Sequence, residues 1–256
     1  MKIRPSIAYS LIVTVPSILF FSSLAVILYP LDWIFLRKRQ LQGKWGATVT
    51  VVKLGWGYWM LWAHGIKVKV SGPAAQDLKK MKGVIFVLNH QSVTDIMTVI
   101  KILPKASSFI SKKELRSVPV FGWAMKVVGT LFVDRSRRTQ NQALSEVNDL
   151  MRDGFNIIIF AEGTRSPDGK LLPFKRGAFV MAIEAQVPVV PVTILDSRLC
   201  CPKGQLAIAP GTIHVIADNP ISTKGLKIED RHQLSDQVRH IMLKHLEKFE
   251  ENRETS

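Results

Sequence analysis

Apolar and polar positions divide this chain into two regions with different patterns. From Ile7 to Leu31 no side chain carries a charge, and these 25 residues are enough to cross a bilayer as a helix. From Ile66 onward, short apolar runs alternate with amphipathic stretches. The pattern therefore predicts an apolar helical segment over residues 1–64 and an α/β domain over residues 65–256.

The α/β region resolves into alternating strands and helices. Since helices separate the strands, we expect a mostly parallel central sheet with helices on both faces. The predicted strands are Ile66–Val70, Val84–Leu88, Ser107–Ile110, Thr130–Val133, Asn156–Phe160, Val189–Ile194 and Thr212–Ala217. The predicted helices are Ile96–Leu103, Val120–Val128, Gln140–Arg152, Gly177–Ala185 and Gln233–Phe249, with another over Trp45–His64 that Gly55 and Gly57 interrupt.

The N-terminal segment has the features of a membrane-associated helix. Basic residues flank it on both sides, and five of the six tryptophans lie in the first 62 residues, where indole rings would suit the headgroup layer. We favour insertion into one leaflet over a spanning helix, because Pro16 would break a spanning helix unless its freed backbone groups found partners. The alternatives are a buried core helix and, for the tryptophans, packing against the α/β domain.

Charge and cysteine content narrow the partners and the compartment. Lys and Arg number 35 against 20 Asp and Glu, so the formal charge is +15, which favours anionic partners such as acidic lipid, phosphorylated substrates or nucleic acid. Only two cysteines occur, Cys200 and Cys201, and neighbours in sequence rarely pair. The sequence therefore predicts a reducing compartment and no disulfide framework.

Three polar clusters follow three of the predicted strands. His90 and Asp95 follow the strand Val84–Leu88, and Asp134 and Arg135 follow Thr130–Val133. Residues 162–166 follow Asn156–Phe160. Because ligands bind at the carboxyl ends of parallel strands, we expect the clusters to meet at one edge of the sheet.

Each cluster also has a purely structural interpretation. Asp95 could cap the helix that follows, since Ser92 and Asp95 have the spacing of a capping box. The charge run at 134–138 could be a solvated surface, and residues 162–169 could be only a turn.

The three clusters together suit one kind of chemistry. Asp95 can orient His90 as a base for a hydroxyl group. Arg135 and Arg165 can bind the oxygens of a phosphate monoester, and Gly163 lets the backbone approach a ligand closely. The other histidines have no partners at metal-ligand spacing, so we expect no metal site.

Four segments in order resemble blocks of the glycerolipid acyltransferases, most closely the bacterial 1-acylglycerol-3-phosphate (lysophosphatidate) acyltransferases. The first is Asn89–Asp95, which matches the NHxxxxD block of that family; the others are Gly129–Arg135, Phe160–Ser166 and Val187–Val192. Ser111–Leu115 and Phe174–Gly177 are also similar to family segments. The resemblance covers roughly residues 65 to 220, and four ordered blocks are far more specific than one.

The resemblance implies acyl transfer from acyl-CoA or acyl carrier protein to the sn-2 hydroxyl of lysophosphatidate, which gives phosphatidate. His90 and Asp95 would be catalytic. The implied substrate-binding residues are Arg135, Glu162, Gly163, Thr164, Arg165, Lys112, Lys113 and Lys175. No cofactor beyond the thioester co-substrate and no nucleic acid is implied.

The implied location is the inner or cytoplasmic membrane, among anionic lipids, with the α/β domain facing the cytoplasm. Two alternatives remain open. The acceptor could be another lysolipid, such as lysocardiolipin or lyso-ornithine lipid, or the chain could be a basic membrane-binding module without activity.

Overall fold

The chain forms a seven-stranded sheet with helices on both faces. The structure is a computed structural model, and it describes residues 6–36, 54–117, 122, 130–133 and 147–254. The strand order across the sheet is β1-β7-β6-β2-β5-β3-β4. The strands are β1 (Ile66–Ser71), β2 (Ile85–Leu88), β3 (Ser107–Lys112), β4 (Leu131–Val133), β5 (Asn156–Phe160), β6 (Val189–Leu195) and β7 (Gly211–Ala217).

The sheet is parallel except at one pair of strands. Strands β6, β2, β5, β3 and β4 run in one direction, and β7 pairs antiparallel with β6. Because β1 pairs parallel with β7, it also runs against the other five. The edge at which those five strands end is called the carboxyl edge here. The loops that enter β1 and β7 lie at this same edge.

The described helices are α1 (Ile7–Leu36), α2 (Trp56–Ala63), α3 (Thr94–Ile102), α4 (Gly177–Ala185), α5 (Ser197–Cys200) and α6 (Arg231–Glu254). Residues 147–152 are also helical. The mostly parallel sheet and all seven predicted strands are confirmed, with ends that differ by two residues at most. The predicted helix over Val120–Val128, apart from the helical residue 122, and residues 140–146 of the predicted helix Gln140–Arg152 lie outside the described residues.

The core has two halves, one on each face of the sheet. Alternation along β2 sends Phe86 and Leu88 to one face and Ile85 and Val87 to the other. The first half packs against α2 and α3, and the second packs against α4 and α6. Every residue of β2 is buried, which explains its uninterrupted apolar sequence.

Helix α1 continues through Pro16, so the expected break at that residue is wrong. Proline removes only one backbone N–H, and α2 packs beside the helix at this level. The hydroxyl of Ser17 donates to the carbonyl of Thr14 at 2.9 Å and contacts Met60 Sδ of α2 at 3.2 Å. By length and composition, Ile7–Ala25 could cross a membrane, and little of it is buried within the described chain.

Residues 45–53 of the predicted helix Trp45–His64 lie outside the described residues. Helix α2 begins directly after Gly55, but the expected interruption at Gly57 is wrong, because α2 runs through this glycine. A Cβ at Gly57 would lie 2.7 Å from Cγ2 of Ile100, so the glycine lets α2 approach α3 closely. Helix α2 runs antiparallel to α1, and Tyr9 near the start of α1 donates from Oη to the carbonyl of Ala63 at 2.6 Å. The beginning of α1 therefore lies near the carboxyl edge.

Candidate active site

His90 and Asp95 form a hydrogen-bonded pair at the carboxyl edge. His90 lies two residues after the end of β2, and its Nδ1 is 2.7 Å from Oδ2 of Asp95. The imidazole stacks on the ring of Phe160, at the end of β5, with centroids 4.0 Å apart. With the proton on Nδ1, this pairing leaves Nε2 as the basic atom of a ring held in one orientation.

The carboxylate of Asp95 is itself fixed by hydrogen bonds in addition to the one with His90. Its side chain is fully buried, and Oδ2 also accepts the backbone N–H groups of Gln91 and Ser92 at 2.7 and 2.8 Å. These two bonds close the loop before α3, as a helix cap does. The capping and catalytic interpretations of Asp95 are therefore compatible, because one oxygen serves both.

One neighbouring strand and one neighbouring segment fix the backbone that carries His90. The side chain of Asn89 pairs with β6: its Nδ2 donates to the carbonyl of Ile194 at 2.8 Å, and its Oδ1 accepts the N–H of Ile194 at 2.7 Å. The hydroxyl of Ser92 donates to the carbonyl of Cys201, just after α5, at 2.8 Å. The loop of residues 89–93, called the catalytic loop here, is therefore held by β6 and by the segment that follows α5.

Glu162 lies behind His90, with its side chain directed at the backbone. Oε1 accepts the N–H of His90 at 2.7 Å, and Oε2 accepts the N–H of Leu172 at 2.9 Å. The residue is only 2% exposed, and burial raises the pKa of its carboxyl group. This geometry differs from the predicted direct contact with substrate. We assign Glu162 a positioning role through the backbone of His90.

The loop after Glu162, residues 163–166, turns sharply at Gly163 and is called the glycine loop here. Gly163 has a φ of +66°, and a Cβ there would lie 2.8 Å from Cδ of Lys175, so a larger residue would be strained and would displace that lysine. Thr164 is exposed, and its hydroxyl accepts a hydrogen bond from Lys203 at 3.4 Å. Ser166 donates its N–H to the carbonyl of His90 at 2.8 Å, which joins this loop to the catalytic one.

Arg165 lies beside the same cluster. Burial raises the pKa of the Cys201 thiol, and the positive charge of Arg165 acts in the opposite direction. Arg165 directly precedes Ser166, whose N–H binds the carbonyl of His90, so its backbone adjoins the loop that carries His90.

Six backbone N–H groups around His90 already have partners within the protein. They belong to His90, Gln91, Ser92, Ala161, Gly163 and Ser166. In residues 162–166, the N–H groups of Glu162, Thr164 and Arg165 donate to no acceptor within the described part of the chain. Glu162 is buried, whereas Thr164 is exposed and Arg165 is partly exposed, so the amides of Thr164 and Arg165 are the candidates for binding an anionic oxygen.

The structure thus gathers most of the predicted site at one edge. His90, Asp95, Glu162, Gly163, Thr164, Arg165 and Lys175 lie together, Lys112 ends β3 at the same edge, and Lys113 begins the short helix that follows. Arg135 lies outside the described residues.

Sequence reasoning missed the contributions of Asn89, Phe160 and the Leu172 amide. Asn89 and Phe160 lie inside the matched blocks, and they could have been found there. The amide of Leu172 gives no sequence signal, because any residue supplies one.

The fold and the site define a class of protein: an α/β enzyme with a His–Asp pair and a glycine-containing loop at the carboxyl edge of its sheet. The chain belongs to the acyltransferase family, whose sequence model matches residues 67–195, half of the 256 residues.

Two similar proteins are named for the same activity. The chain is 36% identical over 182 residues to the 1-acyl-sn-glycerol-3-phosphate acyltransferase alpha of Bos taurus, a match that covers 70% of this chain and 63% of the relative. It is 40% identical over 139 residues to the chloroplastic 1-acyl-sn-glycerol-3-phosphate acyltransferase BAT2 of Brassica napus, which covers 54% and 40%. The chain thus spans less than two thirds of these relatives.

A solved structure aligns with this chain over nearly the whole length of both proteins. The 1-acyl-sn-glycerophosphate acyltransferase PlsC of Thermotoga maritima superimposes with a TM-score of 0.67 at 26% identity, over 91% of this chain and 95% of that one. The similarity therefore includes the N-terminal helical region as well as the sheet.

Proposed function

We propose that this protein transfers an acyl group from a thioester donor to the sn-2 hydroxyl of lysophosphatidate. The observation that carries the proposal is the His90–Asp95 pair, with the imidazole fixed through Nδ1 and the glycine loop joined to its backbone. The names of the bovine, plant and bacterial relatives support lysophosphatidate as the acceptor.

In the proposed mechanism, Nε2 of His90 takes the proton of the acceptor hydroxyl while its oxygen attacks the thioester carbonyl carbon. Asp95 stabilises the imidazolium that forms. The tetrahedral intermediate then loses the C–S bond, and the leaving sulfur takes the proton from His90. The ester, the free thiol and the neutral histidine balance the reaction.

The negative charge on the carbonyl oxygen of the intermediate needs donors that are not already engaged. The N–H groups of Thr164 and Arg165 meet this requirement among the described amides of the loop. We assign them as oxyanion donors.

The phosphate of the acceptor would bind to arginine side chains. Arg165 directly precedes Ser166, whose N–H binds the carbonyl of His90, and a guanidinium matches phosphate oxygens in two-pronged geometry. Arg135 and the lysines Lys112, Lys113 and Lys175 remain predicted partners of the anionic substrates.

The donor would be acyl-CoA or acyl carrier protein, both of which carry negative charge. A net charge of +15 attracts either donor and holds the domain against anionic lipid. Helix α1 would insert into the cytoplasmic membrane with the α/β domain on the cytoplasmic side. The antiparallel return of α2 beside α1 supports insertion into one leaflet.

The test is a transfer assay with purified full-length protein in detergent. Labelled acyl-CoA or acyl carrier protein thioester is supplied with a panel of lysolipids, and phosphatidate is expected from lysophosphatidate. Transfer to lysocardiolipin or lyso-ornithine lipid but not to lysophosphatidate would replace the proposed acceptor. Absence of transfer with every donor and acceptor would favour the basic membrane-binding module.

A further inference from the structure

The segment Cys201–Ile208, between α5 and β7, contacts three separate parts of the molecule and is called the bridge segment here. The carbonyl of Cys201 accepts the hydroxyl of Ser92 in the catalytic loop. Lys203 donates to Thr164 in the glycine loop at 3.4 Å. At the other end, Ile208 donates its N–H to the hydroxyl of Ser10 in α1 at 2.9 Å. The bridge segment therefore joins the active site to the N-terminal helix.

The middle of the bridge segment projects from the surface as a tight turn. Gln205 donates its N–H to the carbonyl of Pro202 at 3.1 Å, and Gly204 has a φ of +87° with nothing within 4 Å of the position of a Cβ. Leu206 follows this turn and is 63% exposed. The turn thus presents an apolar side chain to the surroundings three residues after the positive charge of Lys203.

A single exposed leucine is ordinary on a protein surface, so exposure alone does not indicate a binding surface. The position of Leu206 beside other exposed apolar residues does. Leu206 is two residues from the amide that binds Ser10, and two residues of extended chain span about 7 Å at most. Ser10 is buried, whereas Ile7, Leu11 and Ile12 on the same turns of α1 are exposed. Leu206 therefore extends the exposed apolar surface of α1 toward the active site.

We propose that the turn of the bridge segment is a second membrane contact, in which Leu206 enters the bilayer and Lys203 faces anionic headgroups. This inference rests on the proposed function, since it assumes a lipid acceptor. An interfacial surface with apolar side chains beside basic ones binds anionic lipid by both effects. The contact places the catalytic loop and the glycine loop directly at the membrane surface, where the lipid hydroxyl would arrive.

The test places an environment-sensitive fluorophore at this position through Leu206→Cys in the full-length protein. Both native cysteines are buried, and burial raises the pKa of the Cys200 thiol to about 11 and also raises the pKa of Cys201. The introduced thiol is therefore the reactive one. Val70→Cys is the matched control, because Val70 is also an exposed apolar residue but lies near the end of β1, at the opposite edge of the sheet.

Vesicles of phosphatidylcholine with phosphatidylglycerol should shift the emission of the L206C label to shorter wavelength and raise it severalfold. Lipids with a quencher in the acyl chain should then reduce this emission. The V70C label should not respond. An unchanged L206C label on protein that co-sediments with the vesicles would overturn the proposal, as would a response only to acyl carrier protein.

A kinetic arm separates this inference from the proposed function. Leu206→Ser should raise the KM for lysophosphatidate in vesicles about tenfold, because a buried leucine contact is lost. Its turnover in detergent micelles should equal that of the wild type. Equal KM values in vesicles would count against the membrane contact, whereas absence of transfer by the wild-type protein would count against the proposed function alone.

Discussion

The described part of the molecule contains two histidine–aspartate pairs, and their differences show what makes such a pair a candidate active site. His90 lies 2.7 Å from Asp95, and His245 of α6 lies 3.0 Å from Asp218, the residue that follows β7. The distances alone do not distinguish them. The two pairs differ in the ring nitrogen used, in the support of the carboxylate and in the edge of the sheet where they lie.

The ring nitrogens are used in opposite ways. His90 binds Asp95 through Nδ1, so Nε2, the atom farthest from its backbone, is left for a substrate. His245 binds both oxygens of Asp218 through Nε2, at 3.0 and 3.1 Å, so its outermost nitrogen is already engaged. The first arrangement presents a base to a ligand, whereas the second fastens a helix to the end of a strand.

The carboxylates and their surroundings differ as well. Asp95 is fully buried and accepts two backbone N–H groups, whereas the side chain of Asp218 is 16% exposed. The first pair adjoins the glycine loop at the carboxyl edge, and Asp218 lies at the opposite edge, where β7 ends. A free outer ring nitrogen, a buried carboxylate held by backbone N–H groups and a neighbouring glycine loop therefore separate the candidate catalytic pair from the structural one.

The largest expected effect contrasts the two histidines. His90→Ala should lower acyl transfer by about 10²–10⁴-fold, the contribution typical of a general base. His245→Ala should leave turnover unchanged and lower the free energy of unfolding by about 0.5–1 kcal/mol. Steady-state rates and thermal unfolding followed by tryptophan fluorescence measure both. Near-normal turnover by folded H90A protein would remove His90 from the mechanism.

A second contrast concerns arginine side chains. Arg165→Ala should raise the KM for lysophosphatidate about tenfold or more, because a charge-assisted contact to phosphate is lost. Arg253→Ala is the control, since Arg253 forms only a surface ion pair with Asp196. It should leave the KM unchanged. An unchanged KM in R165A protein would contradict the assignment of the phosphate site.

The smallest kinetic effect should come from Glu162→Gln. The amide can accept only one of the two backbone N–H groups, so kcat should fall about tenfold while the KM for lysophosphatidate stays near that of the wild type. Glu184→Gln, on the exposed face of α4, is the control. A raised KM with an unchanged kcat would instead support direct substrate binding by Glu162.

Unfolding at several pH values gives a readout independent of catalysis. Burial raises the pKa of Glu162, so its contribution to stability is fully present below the unfolded value of about 4.3 and is lost as pH rises through the folded pKa. The stability of the wild type relative to E162Q should therefore decrease from pH 4 upward. If the difference in the free energy of unfolding between the wild type and E162Q does not change with pH, the pKa of Glu162 is not raised in the folded protein.

Much of the fold could be predicted because its signals are local. Each strand is a short run whose burial appears directly in its composition, as in β2. The helix breaks expected at Pro16 and Gly57 do not occur, because contacts with residues distant in the sequence override the local preference. Each residue disfavours a helix by itself, but a neighbouring helix packs against it and stabilises the helical conformation.

In the candidate site, too, local sequence indicates some features and distant contacts decide others. His90 and Asp95 could be paired from sequence because five residues at the start of a helix bring them together. Only the tertiary structure shows that both oxygens of Glu162 accept backbone N–H groups, because any sequence supplies such groups and no residue pattern indicates the contact. Likewise, only the structure pairs His245 with Asp218, because these residues lie 27 positions apart and no local spacing indicates the contact.

The sequence by itself determined the positions of the strands along the chain, the charge-free N-terminal segment and the three polar clusters that follow strands. These depend on residues close together along the chain. Only the tertiary structure decided that β1 and β7 run against the other strands, that Asp95 serves as cap and orienting carboxylate at once, and that the bridge segment joins Ser92, Thr164 and Ser10. The physical reason is that these arrangements depend on contacts between residues as many as 198 positions apart, which no local pattern encodes.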